Sequence, residues 1–277
     1  MHEMNKSFPG NKDLDKNKQD LFVFCDFDGT IAIQDSGKIL FDRYGCSPEK
    51  QEKLEEVLRR GERSFRDISE ELWGYLKLSL SEGIDIVVQE LEVDPGFYNF
   101  YNFCLNSSIP FWIISSGLYP LLKASLSKFL GAEMAEHIKI ISNDVEVNPE
   151  GIWKPIWRDD TPFGHDKAAS IKNCIKNYSN NESKELSPVI IFIGDGVSDF
   201  SVVNSVDILF ARKGFSLEKY CLEHSIPYIS YETFDDVQRE ITAILYNSYQ
   251  YTPIIEPATL EPVCSNFLQV PKTPALN

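Results

Sequence analysis

The chain has 277 residues, of which 43% are hydrophobic, enough for one large α/β domain with an insert and too apolar for overall disorder. Against 27 lysines and arginines stand 42 aspartates and glutamates, a net charge of −15 that repels nucleic-acid phosphates and anionic membranes. No window reaches the roughly 18 apolar residues of a membrane span, so neither nucleic acid nor membrane is an expected partner.

Residues 1–20 are polar, have no apolar core, and read as a flexible tail rather than a secretory signal. The expected location is therefore the cytoplasm, with the nucleus left open as a second compartment. The six cysteines (Cys25, Cys46, Cys104, Cys174, Cys221 and Cys264) form no C-x-x-C pair and read as reduced thiols. LFVFC (21–25) is a short, wholly apolar run, the signature of a strand covered on both faces. From Ser47 to Leu91 the texture becomes helical, rich in Glu, Lys, Arg and Leu, with Ser47-Pro48 as a helix start.

Asp94-Pro95-Gly96 breaks that pattern and a helix follows through YNFYNFCLN. IPFWIIS is a second buried strand, running into Ser115-Ser116-Gly117 and then a helix ended by Gly131. IKIISNDVEVNPEGIWKPIW reads as shorter strands around a Pro-Glu-Gly turn. HDKAASIKNCIKN is an amphipathic helix with Ala168, Ile171, Cys174 and Ile175 on one face, followed by a polar loop, YSNNESKELSP. PVIIFIG is a third buried strand, ending at Gly194-Asp195-Gly196. DFSVVNSV is helical, DILFA is a fourth strand, SLEKYCLEHS is a helix, and YETFDDVQREITAILYNSY is a last helix. A proline-dotted tail closes the chain.

Apolar strands alternating with helices specify a Rossmann-like, doubly wound parallel sheet. Ligands of such sheets sit at the carboxyl ends of the strands. Three polar loops should meet there: Asp26-Phe27-Asp28-Gly29-Thr30, Ser115-Ser116-Gly117 and Gly194-Asp195-Gly196. Taken singly, each has an ordinary explanation. A D-x-D can be a solvated strand end, Ser-Ser-Gly a common helix start, Lys167 a solvated lysine, and G-D-G a tight turn. The chemistry they offer together is specific. Two adjacent carboxylates in one loop tend to differ in proton affinity and can supply a nucleophile and an acid. Hydroxyl and N–H groups at a helix start bind anions, and strand-end aspartates bind hard cations such as Mg²⁺.

D-x-D-G-T, then Ser115, then Lys167, then G-D-G-x-x-D, in that order, resembles the haloacid dehalogenase-type phosphatase superfamily over residues 21 to 246. The resemblance implies a phosphoric monoester hydrolase. In it Asp26 is the nucleophile that becomes an aspartyl-phosphate, and Asp28 is the general acid, then base. Mg²⁺ is held by Asp26, the Asp28 carbonyl and Asp195, with Asp199 in or near its outer shell. Ser115, Ser116, Gly117 and Lys167 hold the phosphoryl group. It also implies a helical cap between the first two motifs, as in phosphoserine phosphatase. The expected division is 1–20 tail, 21–36 and 97–246 catalytic core, 37–96 cap, and 247–277 tail.

Asp35, and Arg63 and Arg66 in the arginine cluster with Arg59 and Arg60, are candidates to read the leaving group. Solvated helix faces are the ordinary alternative for the arginines. DFDGTIAIQDSG, IISSGLYPLL and DILFARKG are similar to methionine-salvage phosphatases and to fungal polyol-phosphate phosphatases. GDGVSDF followed by ARKGFSL also resembles phosphoethanolamine/phosphocholine phosphatases. The stretch WRDDTPFGHDKA lacks the cysteines of the bacterial methionine-salvage enzymes, while its FGHDK and the asparagine-rich loop are similar to the fungal branch, a resemblance that implies a sugar or polyol phosphate as substrate. The alternative of another class is a catalytically retired domain that binds a partner. The sequence leaves the oligomeric state open.

Overall fold

A computed structural model describes residues 21–182 and 188–246. Both expected tails lie outside the described residues. The centre of the fold is β1 (Leu21–Cys25), which pairs in parallel with β2 (Phe111–Leu118) on one side and β5 (Val189–Gly194) on the other. Its alternation explains why the run is wholly apolar. Leu21, Val23 and Cys25 enter one hydrophobic layer, and Phe22 and Phe24 enter the opposite one. Among the described residues the sheet has seven strands, adding β3 (Lys139–Val147), β4 (Trp153–Ile156), β6 (Ile208–Arg212) and β7 (Ile229–Tyr231), in the order β4-β3-β2-β1-β5-β6-β7. All neighbours are parallel except the β3–β4 hairpin at one edge.

Between β1 and β2 the chain forms α1 (Ser36–Tyr44), α2 (Pro48–Arg59), α3 (Phe65–Gly74), α4 (Leu80–Glu90) and α5 (Phe97–Asn106). Each of α1 to α4 begins on a side-chain cap, from Asp35, Ser47, Ser64 and Ser79 in turn. The four helices leave and rejoin the sheet through a narrow neck. There Ile33 N donates to the Glu92 carbonyl, Asp94 N donates to the Ile31 carbonyl, and Ala32 faces Val93. Helix α5, with α6 (Tyr119–Leu130) and α10 (Phe234–Tyr246), belongs to the layer of Val23. Helices α8 (Lys167–Glu182) and α9 (Ser216–His224) cover the layer of Phe24. The crossover from β1 to β2 therefore uses one face and the return to β5 uses the other, which opens a crevice at the carboxyl end of β1.

Five details differ from the sequence reading. A short helix, α7 (Ala132–His137), follows Gly131, whose φ of +82° closes α6. Helix α8 continues through Tyr178–Glu182, where polar composition predicts a loop, because Tyr178 packs its ring edge-on against Phe22 at 4.9 Å. The segment after G-D-G is a 3-10 helix (Val197–Val202), and β7 is too short to show a pattern. Helix α1 starts ahead of the helical texture. The five described cysteines form no disulfide with one another, and Cys264 lies outside the described residues. Among the described residues no helix is long and apolar enough to cross a membrane.

Trp153 of β4 fastens the helical insert to the hairpin. It is buried, donates its indole N–H to the Leu78 carbonyl at 2.9 Å, and stacks on Trp73 with centroids 5.6 Å apart. Gly83 of α4 lies against the same ring, and a Cβ there would stand 2.5 Å from its Cζ2. Gly83→Ala should therefore lower stability by about 1–3 kcal/mol through overpacking, although alanine is the better helix former. Gly74→Ala, with open space around the site, should be neutral or up to about 1 kcal/mol stabilising. Urea midpoints at constant m-value test the pair, and equal effects at the two glycines would contradict the packing described.

Candidate active site

Cys25 is level with Ile113 on β2 and with Ile193 on β5. Asp26 therefore leaves the sheet at the level of Ile114 and Gly194, with Ser115 and Asp195 one residue beyond. Its N–H still continues the ladder, donating to the Ile193 carbonyl at 2.9 Å. One carboxylate oxygen of Asp26 accepts from Phe27 N at 2.7 Å, and the other lies 2.8 Å from Lys167 Nζ. The same ammonium donates to Asp199 Oδ1 at 2.7 Å. Asp199 Oδ2 accepts from the N–H groups of Asp195 and Gly196 at 3.0 Å, which folds the G-D-G turn around it. Thr30 Oγ1 donates to Asp195 Oδ1 at 2.9 Å. Gly29 has φ +75°, and a Cβ on it would stand 2.3 Å from Asp195 Oδ2, so the glycine is required twice over.

Ser115 and Gly117 form a bulge between β2 and β3, with Gly117 N donating to Ser115 Oγ at 2.9 Å. A Cβ on Gly117 would stand 2.5 Å from Asp28 Oδ2, so Asp28 rests directly on this loop. The Ser116 hydroxyl is buried without a partner among the described residues. Asp28 Oδ1 accepts from Ser36 N, the first N–H of α1, at 2.8 Å. A helix start is a natural seat for a carboxylate. The sequence-derived set of Asp26, Asp28, Ser115, Ser116, Gly117, Lys167, Asp195 and Asp199 thus converges on one edge of the sheet.

The leaving-group candidates divide. Asp35 caps α1, accepting from Lys38 N at 2.8 Å, and lies next to Ser36. Arg63 is bonded to Glu71 and to the Asp67 carbonyl, inside the helical insert. Arg66 reaches Asp160 Oδ1 at 2.9 Å and the Asp159 carbonyl, on the loop ahead of Lys167. Arg60 pairs with Glu56 on an exposed face.

Four positions escaped the sequence reading. Arg212, at the end of β6, donates to the carbonyls of Gly29 at 2.7 Å and Thr30 at 3.2 Å. Buried Asp94 faces Arg212 at 3.7 Å and accepts from Gly96 N and Phe234 N. His165 and Asn143, both fully buried, hold the carbonyls of Ser115 and Ser116. A basic residue at a strand's carboxyl end was a visible signal for Arg212. Nothing in residue spacing marked the other three.

The electrostatics of the cluster are unbalanced. Asp26, Asp195 and Asp199 are buried with one oxygen of each within 4.8 Å of the others. Against these three negative charges stands one ammonium, a formal charge of −2. Burial pushes the Asp26 carboxyl up to about 7, with Lys167 lowering and Asp199 raising it. Burial and the neighbouring Asp199 and Asp26 push Asp195 up as well. Lys167 opens α8, where the helix dipole disfavours a cation, and it is fully buried; yet the two carboxylates hold its ammonium well above the usual lysine range. Hard carboxylate oxygens from Asp26 and Asp195, backed by Asp199 and left with a deficit of two charges, fit one small divalent cation of the Mg²⁺ type.

A family model described as haloacid dehalogenase-like hydrolase matches residues 23–203. Pdp3-interacting factor 1 of Schizosaccharomyces pombe is 37% identical over 231 residues, covering 83% of this chain and 99% of that protein. Polyol phosphate phosphatase PYP1 of Saccharomyces cerevisiae is 33% identical over 235 residues, covering 84% and 98%. A 2-hydroxy-3-keto-5-methylthiopentenyl-1-phosphate phosphatase of Bacillus cereus is 29% identical, covering 80% and 96%. Among solved structures, an aspartyl-phosphate analogue complex of phosphoserine phosphatase superposes with a TM-score of 0.59 at 15% identity, covering 80% and 99%. That likeness shows the fold. Matched across more than half its length by the family model, and 37% and 33% identical to two relatives over nearly their whole length, the chain belongs to the haloacid dehalogenase-like hydrolases.

Proposed function

We propose that the protein is a Mg²⁺-dependent phosphomonoesterase for a small phosphorylated metabolite, with sugar and polyol phosphates favoured. The observation that carries this reading is the meeting of Asp26, Asp195, Asp199 and Lys167 beside Asp28 and the Ser115–Gly117 loop. The Asp26 carboxylate attacks phosphorus, the bond to the ester oxygen breaks, and Asp28 gives its proton to the departing alkoxide. Asp28 then takes a proton from the water that attacks the aspartyl-phosphate, releasing inorganic phosphate and restoring Asp26. Lys167, the Ser116 N–H and the Ser115 hydroxyl, whose oxygen is held by the Gly117 N–H, bind the phosphoryl oxygens. Ser116, whose buried hydroxyl has no partner among the described residues, is a further donor.

Asp26, Asp195 and the Asp28 carbonyl are assigned to hold the cation, with Asp199 behind them engaged by Lys167. When bound, the cation removes the repulsion between an anionic phosphate and these carboxylates, about 4 kcal/mol per pair of unit charges at 4 Å and an effective dielectric of 20.

Residues 37–96 act as a cap, hinged at the Ile31–Ile33 and Glu92–Asp94 neck and closing over the crevice. Reading of the leaving group is assigned to Asp35 and Ser36, which stand beside Asp28. Arg63 and Arg66 are committed to other partners. The polyol-phosphate relative supports the substrate lean, as does the cysteine-free stretch before Lys167.

Asp26→Asn should abolish hydrolysis of p-nitrophenyl phosphate, a loss of roughly 10⁴-fold or more for a nucleophile. Substantial activity left in that variant would overturn the assignment. EDTA should remove activity and Mg²⁺ restore it. Mg²⁺ should also raise the melting temperature of the wild type, by about 2.7 kcal/mol of stability at a hundredfold excess over its dissociation constant. Full activity in EDTA would contradict the metal assignment. A phosphometabolite panel decides the substrate, and activity confined to phosphoserine, phosphocholine or the methionine-salvage ester would displace the sugar and polyol phosphates.

A further inference from the structure

The Ser115–Ser116 peptide plane carries the Ser116 N–H, and the Ser116–Gly117 plane carries the Gly117 N–H that donates to Ser115 Oγ and so aims that hydroxyl. In a trans peptide the carbonyl and the following N–H point in opposite directions, so fixing one fixes the other. Both carbonyls are fixed by buried side chains that come from outside the loop. His165 Nδ1 lies 2.7 Å from the Ser115 carbonyl, and Asn143 Nδ2 donates to the Ser116 carbonyl at 2.8 Å. Neither side chain has any exposed surface.

Each of the two also makes a second bond, and both second bonds lead to the segment around Lys167. His165 Nε2 lies 2.8 Å from Ser170 Oγ, one turn into α8. Asn143 Oδ1 accepts from Arg158 N at 3.0 Å. The intervening loop is closed on itself by Asp159, whose carboxylate accepts from Thr161 N and from Asp166 N, while Asp166 in turn caps α8 through Ala169 N. Two rigid bridges thus run from consecutive carbonyls of the phosphoryl loop to the loop and helix that place the lysine.

The ring chemistry supports a single arrangement. A carbonyl only accepts, so Nδ1 of His165 carries the proton and Nε2 accepts from the Ser170 hydroxyl. Burial, with the charges of Lys167 and Arg158, lowers the imidazole to about 4 against the opposing pull of the Ser115 carbonyl and Asp159. The ring is neutral throughout the physiological range and keeps this tautomer.

We propose that His165 and Asn143 are positioning residues of the phosphoryl site, setting the distance and angle between the Ser115–Gly117 donors and the Lys167 ammonium before substrate arrives. The inference rests on the reading of that loop and lysine as the phosphoryl seat. Misalignment should weaken five-coordinate phosphorus more than the ground state, so the sensitive probe is inhibition by orthovanadate in the presence of Mg²⁺.

The test compares purified full-length variants by kcat, KM, vanadate inhibition constant and melting temperature. His165→Phe and Asn143→Leu should each weaken vanadate inhibition and lower kcat/KM on the order of tenfold or more, the cost of one lost buried hydrogen bond at the site. His165→Asn, whose amide nitrogen falls near the place of Nδ1, should recover most of that loss; His165→Gln, which mimics Nε2, should not. The rescue separates positioning from bulk stability, since both amides replace the ring with less volume. Unchanged vanadate inhibition and kcat/KM in His165→Phe and Asn143→Leu, whatever the change in melting temperature, would overturn the proposal. So would equal behaviour of His165→Asn and His165→Gln. Should the larger changes fail to fold, Ser170→Ala keeps the ring and removes only the Nε2 partner. A measurable weakening of vanadate there supports the proposal, and none refutes it. A wild type that neither hydrolyses p-nitrophenyl phosphate nor binds vanadate would instead remove the phosphatase reading itself.

Discussion

The structure turns on a charge imbalance. Three buried carboxylates surround one buried ammonium at the carboxyl end of β1, and the parallel sheet holds them there. Carboxylates seldom lie buried without a partner that compensates them. Here the compensation is incomplete by two charges, and burial raises the Asp26 and Asp195 carboxyls accordingly. The features nearest the cluster serve to hold it in spite of this. The Phe27 N–H and Thr30 hydroxyl bond the acids directly, Asp199 is wrapped by the turn it sits in, and Gly29 is bare so that Asp195 can approach.

A second tier of buried polar residues holds the loops rather than the acids. Arg212 clamps the Gly29 and Thr30 carbonyls and is backed by Asp94, whose other bonds reach α5 and α10. His165 and Asn143 do the same for the Ser115–Ser116 carbonyls. The helical insert joins the same framework at two places. The start of α1 meets Asp28, and Arg66 of α3 grips the loop that precedes Lys167. Arg66 N also donates to the Pro162 carbonyl at 2.9 Å, so the insert and the lysine loop are connected through backbone as well as side chain. Movement of the insert would be felt at Asp28 and at the Lys167 loop together.

The framework and the polar groups that meet at the sheet edge were legible in the sequence for a shared physical reason. A strand covered on both faces must be wholly apolar, so LFVFC, FWII and VIIFI stood out, and the polar residues that end each of them stood out by contrast. The order of motifs then carried the chemistry. What stayed hidden depends on contacts between residues far apart in the chain. His165 and Ser115 are 50 residues apart, and Arg212 and Gly29 are 183 apart. Side chains bonded to backbone carbonyls leave no periodic trace, and a buried histidine reads like any other. The pairing of Arg63 with Glu71 and of Arg66 with Asp160 is likewise hidden, because a sequence shows charge without showing its partner. The added turns of α8 came from the packing of Tyr178 on Phe22, a tertiary contact that overrides polar composition.

The proposed chemistry requires that the Asp26 carboxylate itself bond to phosphorus. Acid quenching during steady-state turnover, followed by borohydride reduction of the acyl phosphate, converts a phosphorylated aspartate into homoserine, and peptide mass spectrometry locates it. The account predicts homoserine at position 26, dependent on both substrate and Mg²⁺. Continued release of phosphate with aspartate intact at position 26, or with the modification on another carboxylate, would contradict it.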